Sequence, residues 1–217
     1  MAAKIHVVKQ GEYLAKIAKI YGFSNWRAIY DHPDNAEFRK KRSNPSIIYP
    51  GDKVVIPDKI SKEISEQTEQ RHKFQLKVEG LWLRLVIKDL DDQPLSKIAY
   101  KLKIGDLTFE EMTNSDGLIE HKIPEGVGSG VLYINEWALP LKIGHLDPIE
   151  EVTGWQARLD NLGYYGGLID GKINDDDGKP RLFLKSAIEE FQLDNKLNVD
   201  GIMGDETMKK LKQVHGC

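Results

Sequence analysis

Cysteine is nearly missing: the 217 residues hold one, Cys217. A single thiol excludes an intrachain disulfide framework and leaves the redox compartment open. No apolar run approaches the roughly 20 residues that a membrane-spanning helix needs. The opening Met-Ala-Ala-Lys-Ile-His lacks the apolar core of a signal peptide and leads straight into a strand, so cytoplasmic synthesis without a signal peptide is expected. Concentrated positive charge is lacking too. The net charge of −3 divides into +4 over residues 1–58, −3 over 59–149 and −4 over 150–217. The one basic run, Arg39-Lys40-Lys41-Arg42, reads as a solvated helix face, and no nucleic-acid partner is expected.

Chemistry-bearing clusters are equally scarce. His6, His32, His72, His121, His145 and His215 are dispersed, with no metal-ligand spacing among them, so neither a metal nor another cofactor is expected. The acidic pairs Asp91-Asp92, Glu110-Glu111 and Glu189-Glu190 fall in turns or on solvated faces. The acidic insert at 174–180 fails as a calcium loop, because with Gly178 at loop position six Ile173 and Leu184 fall where carboxylates are required; it reads as a solvated loop. No nucleophile and base are placed together, and an enzyme is not expected.

What is present is a sequence of three differing patterns. In residues 1–58 a strand at 5–8 precedes a helical run with Leu14, Ile17, Ala18 and Tyr21 on one face. Gly22 ends that helix, and Ser24 is the expected cap of the next, whose apolar face holds Trp26, Ile29 and Tyr30. Pro33 breaks it, a further helical turn fits 36–42, and turn and strand follow at 48–56. Residues 59–72 are polar and read as a linker. From 73 to 147 the period is two: Phe74, Leu76, Val78; Leu81, Leu83, Leu85, Ile87; Ile98, Tyr100, Leu102, Ile104. Further strands fit 107–112, 118–123, 131–134 and 138–143, with Asn114-Ser115-Asp116-Gly117 among the turns. About seven short strands predict an antiparallel β-sandwich. Residues 148–217 return to helical spacing: Val152, Trp155, Gln156, Leu159 and Leu162; Ala187, Ile188, Phe191 and Gln192; Thr207, Met208 and Leu211. Apolar-Asp-Gly recurs at Asp170-Gly171 and Asp200-Gly201, each before a helix, where Asp is suited to capping and Gly to positive φ.

Resemblances to known families follow from these residues. Gly11 with Leu14, Ile17-Ala18, Tyr21-Gly22 and Pro50-Gly51 through Ile56-Pro57 resemble a LysM domain, the βααβ module that binds N-acetylglucosamine glycans, including peptidoglycan. The resemblance implies a shallow groove between two loops, here Gly11, Glu12, Tyr13 and Leu14 on one side and Ile48, Tyr49, Pro50 and Gly51 on the other. Tyr13 stands where the family has a small hydroxyl residue, and the stretch 31–47 is long enough to cover the groove. Leu85-Val86-Ile87-Lys88-Asp89, Gln93-Pro94-Leu95 and Thr113-Asn114-Ser115-Asp116-Gly117 resemble transthyretin-like or carboxypeptidase-regulatory-like sandwiches, a spacer or interaction fold. Trp155-Gln156, Leu162-Gly163-Tyr164-Tyr165, Phe191-Gln192, Asp200-Gly201 and Gly204 resemble the three-helix peptidoglycan-binding domain. There Tyr164, Tyr165 and Asp200 are the expected ligand contacts. Val214-His215-Gly216-Cys217 is similar to an L,D-transpeptidase segment, but the catalytic sheet and activating histidine such a thiol needs have no place around it.

The implied fold class is α+β multidomain: LysM, β-sandwich and three-helix bundle. The implied function is non-catalytic peptidoglycan binding. The arrangement also resembles proteins of contractile injection systems such as type VI secretion, through the stretch from Trp26 to Asn35, Tyr49-Pro50-Gly51-Asp52 and Gly144-His145-Leu146-Asp147-Pro148. That resemblance implies spike or effector partners and delivery to the periplasm or a target cell. The alternative is a structural adaptor, chaperone or cargo component whose wall modules dock proteins.

Overall fold

The computed structural model describes residues 4–59, 81–89, 91 and 93–216. The expected linker beyond Lys59, the alternating run at 74–78 and Cys217 lie outside the described residues. The chain divides into two compact units, Met1–His145 and Leu146–Cys217. It is a mixed fold of helices and antiparallel sheets.

The first unit holds two apolar cores. In one, β1 (Lys4–Val7) pairs antiparallel with β2 (Lys53–Ile56), Val7 lying opposite Lys53. Between them run α1 (Leu14–Ile20), α2 (Arg27–Tyr30), a 3₁₀ turn (Pro33–Asn35) and α3 (Ala36–Lys41). Leu14, Ile17 and Ala18, spaced for one helix face, are buried with Val8, Ile29, Phe38, Ile48, Val54 and Ile56. Complete burial of a side chain such as Ile29 contributes about 2–3 kcal/mol. Gly22 closes α1 as expected: its N–H donates to Lys19 O, and Phe23 N–H to Ala18 O. The expected cap of the next helix is corrected. Trp26 already has helical dihedrals, so the capping acceptor sits at Asn25, whose Oδ1 takes the Arg27 N–H at 2.8 Å, and not at Ser24.

The second core of this unit lies between two sheets. β3 (Leu81–Val86) pairs with β6 (Leu118–Ile123). β4 (Ala99–Ile104), β5 (Leu107–Met112), β7 (Ser129–Ile134) and β8 (Trp137–Lys142) form an antiparallel sheet in the order β5-β4-β7-β8. Tyr100, Leu102 and Ile104 turn inward while Lys101 and Lys103 between them turn away, as period two requires. They meet Ile119 and Ile123 of β6 and Leu132 and Ile134 of β7 in one cluster. His121, also buried, crosses between the sheets: its Nε2 lies 2.7 Å from the Tyr100 hydroxyl and its ring stacks on Phe109.

In the second unit α4 (Val152–Asn161), α5 (Leu182–Asp194) and α6 (Asp205–His215) enclose a core that includes Trp155, Leu159, Ile188, Phe191 and Leu211. The Asp-Gly repeat has a different cause from the one expected. The N-caps of α5 and α6 are Arg181 and Gly204, so neither aspartate caps a helix. Each instead closes a local turn, Asp170 Oδ1 accepting Lys172 N–H and Asp200 Oδ1 accepting Ile202 N–H. Each turn is then held by a buried glutamine from the preceding helix. Gln156 accepts the Gly171 N–H and donates to Lys172 O. Gln192 accepts the N–H groups of Asp200 and Gly201. The acidic insert is exposed, its ends bridged at Asn174 and Pro180.

Candidate functional site

The two loops of the expected groove leave the same end of the β1–β2 ladder. Val8 joins them: its N–H donates to Asp52 O at 2.9 Å, and its carbonyl accepts the Gly51 N–H at 2.8 Å. In the second loop Ile48 belongs to the core, Tyr49 and Pro50 are half-buried, and Gly51 is exposed. This loop is shaped by Asp52. Its buried carboxylate accepts from Arg42 Nε at 2.7 Å, Lys41 Nζ at 2.8 Å and Tyr49 N–H at 3.0 Å. Burial pushes the Asp52 carboxyl up, but the bonds from Arg42, Lys41 and Tyr49 outweigh it and hold it below the usual range.

These contacts give the long stretch 31–47 a role. Its helix α3 delivers Arg42 to the base of the second loop, and Tyr30 fastens it by donating to Arg42 O at 2.8 Å. The basic run is therefore not a uniformly solvated face. Lys40 and Lys41 are exposed, whereas Arg42 is buried on Asp52 and Arg39 donates to His32 O at 2.7 Å. Period alone does not reveal this, because the helix ends at Lys41 and Arg42 turns inward beyond it.

The first loop is turned inward. Glu12 Oε2 accepts the Lys9 N–H and lies 2.8 Å from His6 Nε2, while His6 Nδ1 reaches the Tyr21 hydroxyl at 3.0 Å. Leu14 is in the core. Gly11 and Tyr13 are buried as well, against the turn between β6 and β7 and the residues just after β8. The Tyr13 hydroxyl accepts the Gly126 N–H at 2.7 Å and donates to Val127 O at 3.0 Å. A Cβ at Gly11 would lie 2.8 Å from His145 Nε2, and one at Gly144 would lie 2.4 Å from Tyr13 Cδ1. Both glycines have positive φ, +76° and +78°. No side chain fits at either, and that is what lets the rings of His145 and Tyr13 lie so close. Burial raises the Tyr13 pKa, opposed by the bond from Gly126 and aided by the charge of Glu125.

In the second unit the three expected contacts are each engaged internally. Tyr165 is 4% exposed and donates to Leu168 O. Tyr164 stands edge-on to Phe191 and donates to Asp194 at 3.0 Å. The Asp200 carboxylate accepts from Gln192 Nε2 at 2.8 Å and from Ile202 N–H, which hold it below the usual carboxylate range. The apolar side chains this unit presents to solvent are others, among them Leu168, Leu182 and Phe183, the last 87% exposed. Sequence reasoning passed over them because exposed and buried apolar positions look alike in a connecting loop and at the first turn of a helix.

An open trough of about 490 Å³ on the four-stranded sheet is lined by residues including Lys101, Glu110, Met112 and Tyr133. Among the described residues no three His, Cys, Asp or Glu side chains converge where a metal ion would sit, and no helix is long and apolar enough to cross a membrane.

Residues 149–211 match the family model described as a putative peptidoglycan binding domain, and residues 6–27 match that of the LysM domain. The chain thus carries two binding domains, both of them of cell-wall type. The LysM match takes in the first loop and ends before residues 48–51. No curated protein and no solved structure matches the chain.

Proposed function

We propose that this protein binds peptidoglycan without cleaving it, through N-acetylglucosamine glycan contacts in the LysM domain and a second wall contact in residues 149–211. The supporting observation is the pair of wall-binding matches in one chain, each with its own apolar core. Two weak sites on one chain raise apparent affinity on the order of 10²–10⁴-fold where both can engage. In this reading Gly11, Glu12, Tyr13 and Leu14 face Ile48, Tyr49, Pro50 and Gly51 across the groove. The sheets between the domains serve as a transthyretin-like sandwich spacer, and the last three helices as a wall-binding bundle. Co-sedimentation of the full chain with insoluble peptidoglycan tests it. Retention in the pellet, competed by soluble muropeptides, is expected; a chain that stays in the supernatant overturns the reading.

The resemblance to contractile injection components supports a finer proposal. The protein is made in the cytoplasm and meets the wall through the injector, with spike or effector proteins as partners. Burial of the first loop on the chain's own sheet domain favours a second reading, in which the LysM domain is a protein-docking element of such an apparatus. Export that depends on an intact injector distinguishes both from a protein with no part in secretion.

A further inference from the structure

We propose that Tyr13 is a latch: it keeps the 11–14 side of the LysM groove closed against the sheet domain, and glycan reaches that side only when the latch opens. This rests on the reading of residues 11–14 as glycan contacts and adds the control of that site.

The closed contact has three parts. The Tyr13 hydroxyl is both acceptor and donor, taking the Gly126 N–H at 2.7 Å and giving its proton to Val127 O at 3.0 Å. Both partners are backbone groups of one turn, so the hydroxyl completes that turn's hydrogen bonding. Beside it, Lys19 Nζ donates to Glu125 O at 3.2 Å. On the other flank His145 lies over Gly11, and Gly144 admits the Tyr13 ring. Shape and polarity are thus matched around the first loop, and the match is local to it. The second loop remains accessible, with Gly51 exposed and space open where its Cβ would be. A glycan arriving at Tyr49, Pro50 and Gly51 meets a groove with one wall occupied by the chain itself.

The residue type at position 13 gives the contact its reach. A small hydroxyl at the start of α1 would satisfy only the helix end; an aromatic ring carries the hydroxyl across to a turn 113 residues away in sequence. The latch is reversible by nature. The two neutral hydrogen bonds of the hydroxyl favour closure by a factor on the order of tenfold or somewhat more, and apparent affinity falls by the fraction that is open.

The test is chitotetraose titration of the full chain, followed by amide NMR and calorimetry, in wild type and two variants. Tyr13→Phe keeps the ring and removes both hydroxyl bonds. Gly144→Ala drives a methyl into the Tyr13 ring and strains a positive φ, opening the contact from the opposite side. Both variants are expected to bind on the order of tenfold tighter than wild type, with new shifts at residues 11–14 and faster amide exchange at 126–127. Equal affinity in wild type and Tyr13→Phe, with wild-type shifts already at 11–14, overturns the latch. If neither binds chitotetraose but the full chain still sediments with peptidoglycan, the latch is again overturned while wall binding stands. Loss of sedimentation as well removes the underlying reading itself.

Discussion

Arg42 and Asp52 form a buried ion pair ten residues apart in sequence, Nε to Oδ2 at 2.7 Å and Nη2 to Oδ1 at 3.3 Å, with side chains 6% and 1% exposed. Removing one partner leaves the other charge buried, and that costs more than the pair itself contributes. Arg42→Ala is expected to destabilise the LysM core by about 3 kcal/mol, the lower end of the range for such losses, because Lys41 and the Tyr49 N–H still reach the carboxylate. Arg42→Ala with Asp52→Asn should recover part of that loss. The Asp52 carboxyl is held below its ordinary 3.8, so the pair's contribution is present above that value and is lost as the pH falls through the folded one. Denaturant titration at pH 7 and pH 3 reads both effects. An Arg42→Ala chain as stable as wild type at pH 7 refutes the brace.

Asn35 works as a strand's worth of backbone in one side chain. It is 1% exposed; Nδ2 donates to Val55 O at 2.7 Å and to Ile29 O at 2.8 Å, and Oδ1 accepts the Val55 N–H at 2.8 Å. Val55 lies on β2, which among the described residues pairs with β1 alone, so the amide covers the edge that no described strand reaches. Asn35→Ala leaves three backbone groups without these bonds and is expected to cost about 2–3 kcal/mol. Asn35→Asp loses the two donations as well and should be no milder. The reading is checked by hydrogen exchange at Val55, which should accelerate in both variants ahead of the amides of β1.

Much of the fold was legible because it is periodic. The alternation in β4 and the three- and four-residue spacing in α1 and α5 mark which side chains face inward, and the structure agrees at Leu102, Ile17 and Phe191. Contacts made by single atoms across long separations left no such trace. The Tyr13 hydroxyl meets Gly126 and Val127 through a fold that only exists once both parts are made. The resemblance to the peptidoglycan-binding domain makes Asp200 an expected ligand contact, yet a carboxylate closing its own turn and one awaiting a ligand have the same sequence. The distinguishing residue is Gln192, eight positions away, whose place in the core hides its polar role.

That role predicts a graded result in the second unit. Gln192 is 1% exposed, donates to Asp200 Oδ1 at 2.8 Å and Thr207 Oγ1 at 3.1 Å, and accepts two backbone N–H groups. Gln192→Leu matches its volume but strands those groups, at an expected cost of about 2–3 kcal/mol. Gln192→Glu keeps the acceptor yet loses the donors and sets a carboxylate against Asp200, so it should be worse above pH 5. Gln156→Leu, which frees one N–H and one carbonyl, should cost less than Gln192→Leu. Thermal unfolding ranks them, and the reverse order for Gln156 and Gln192 contradicts the account of the repeat.

His215 supplies a pH-dependent term confined to the same unit. Burial first, and then the charge of Arg158, lower its pKa to about 4, from an ordinary 6.5; its Nε2 lies 3.1 Å from Asn161 Nδ2. The unfolded chain therefore takes up a proton on His215 as pH falls below 6.5, while the folded chain resists until about 4. Unfolding binds protons across that window, so stability from this group is complete above it and falls as the pH drops from 6.5 towards 4. Below the folded value no further loss comes from His215. His215→Gln should flatten this part of the stability profile of residues 146–217 and leave the LysM core unaffected. The direct check is an NMR titration of the His215 ring in the full chain, expected to show a midpoint near 4. A midpoint close to 6.5, or parallel acid profiles for wild type and His215→Gln, means the imidazole is solvated and the burial argument fails.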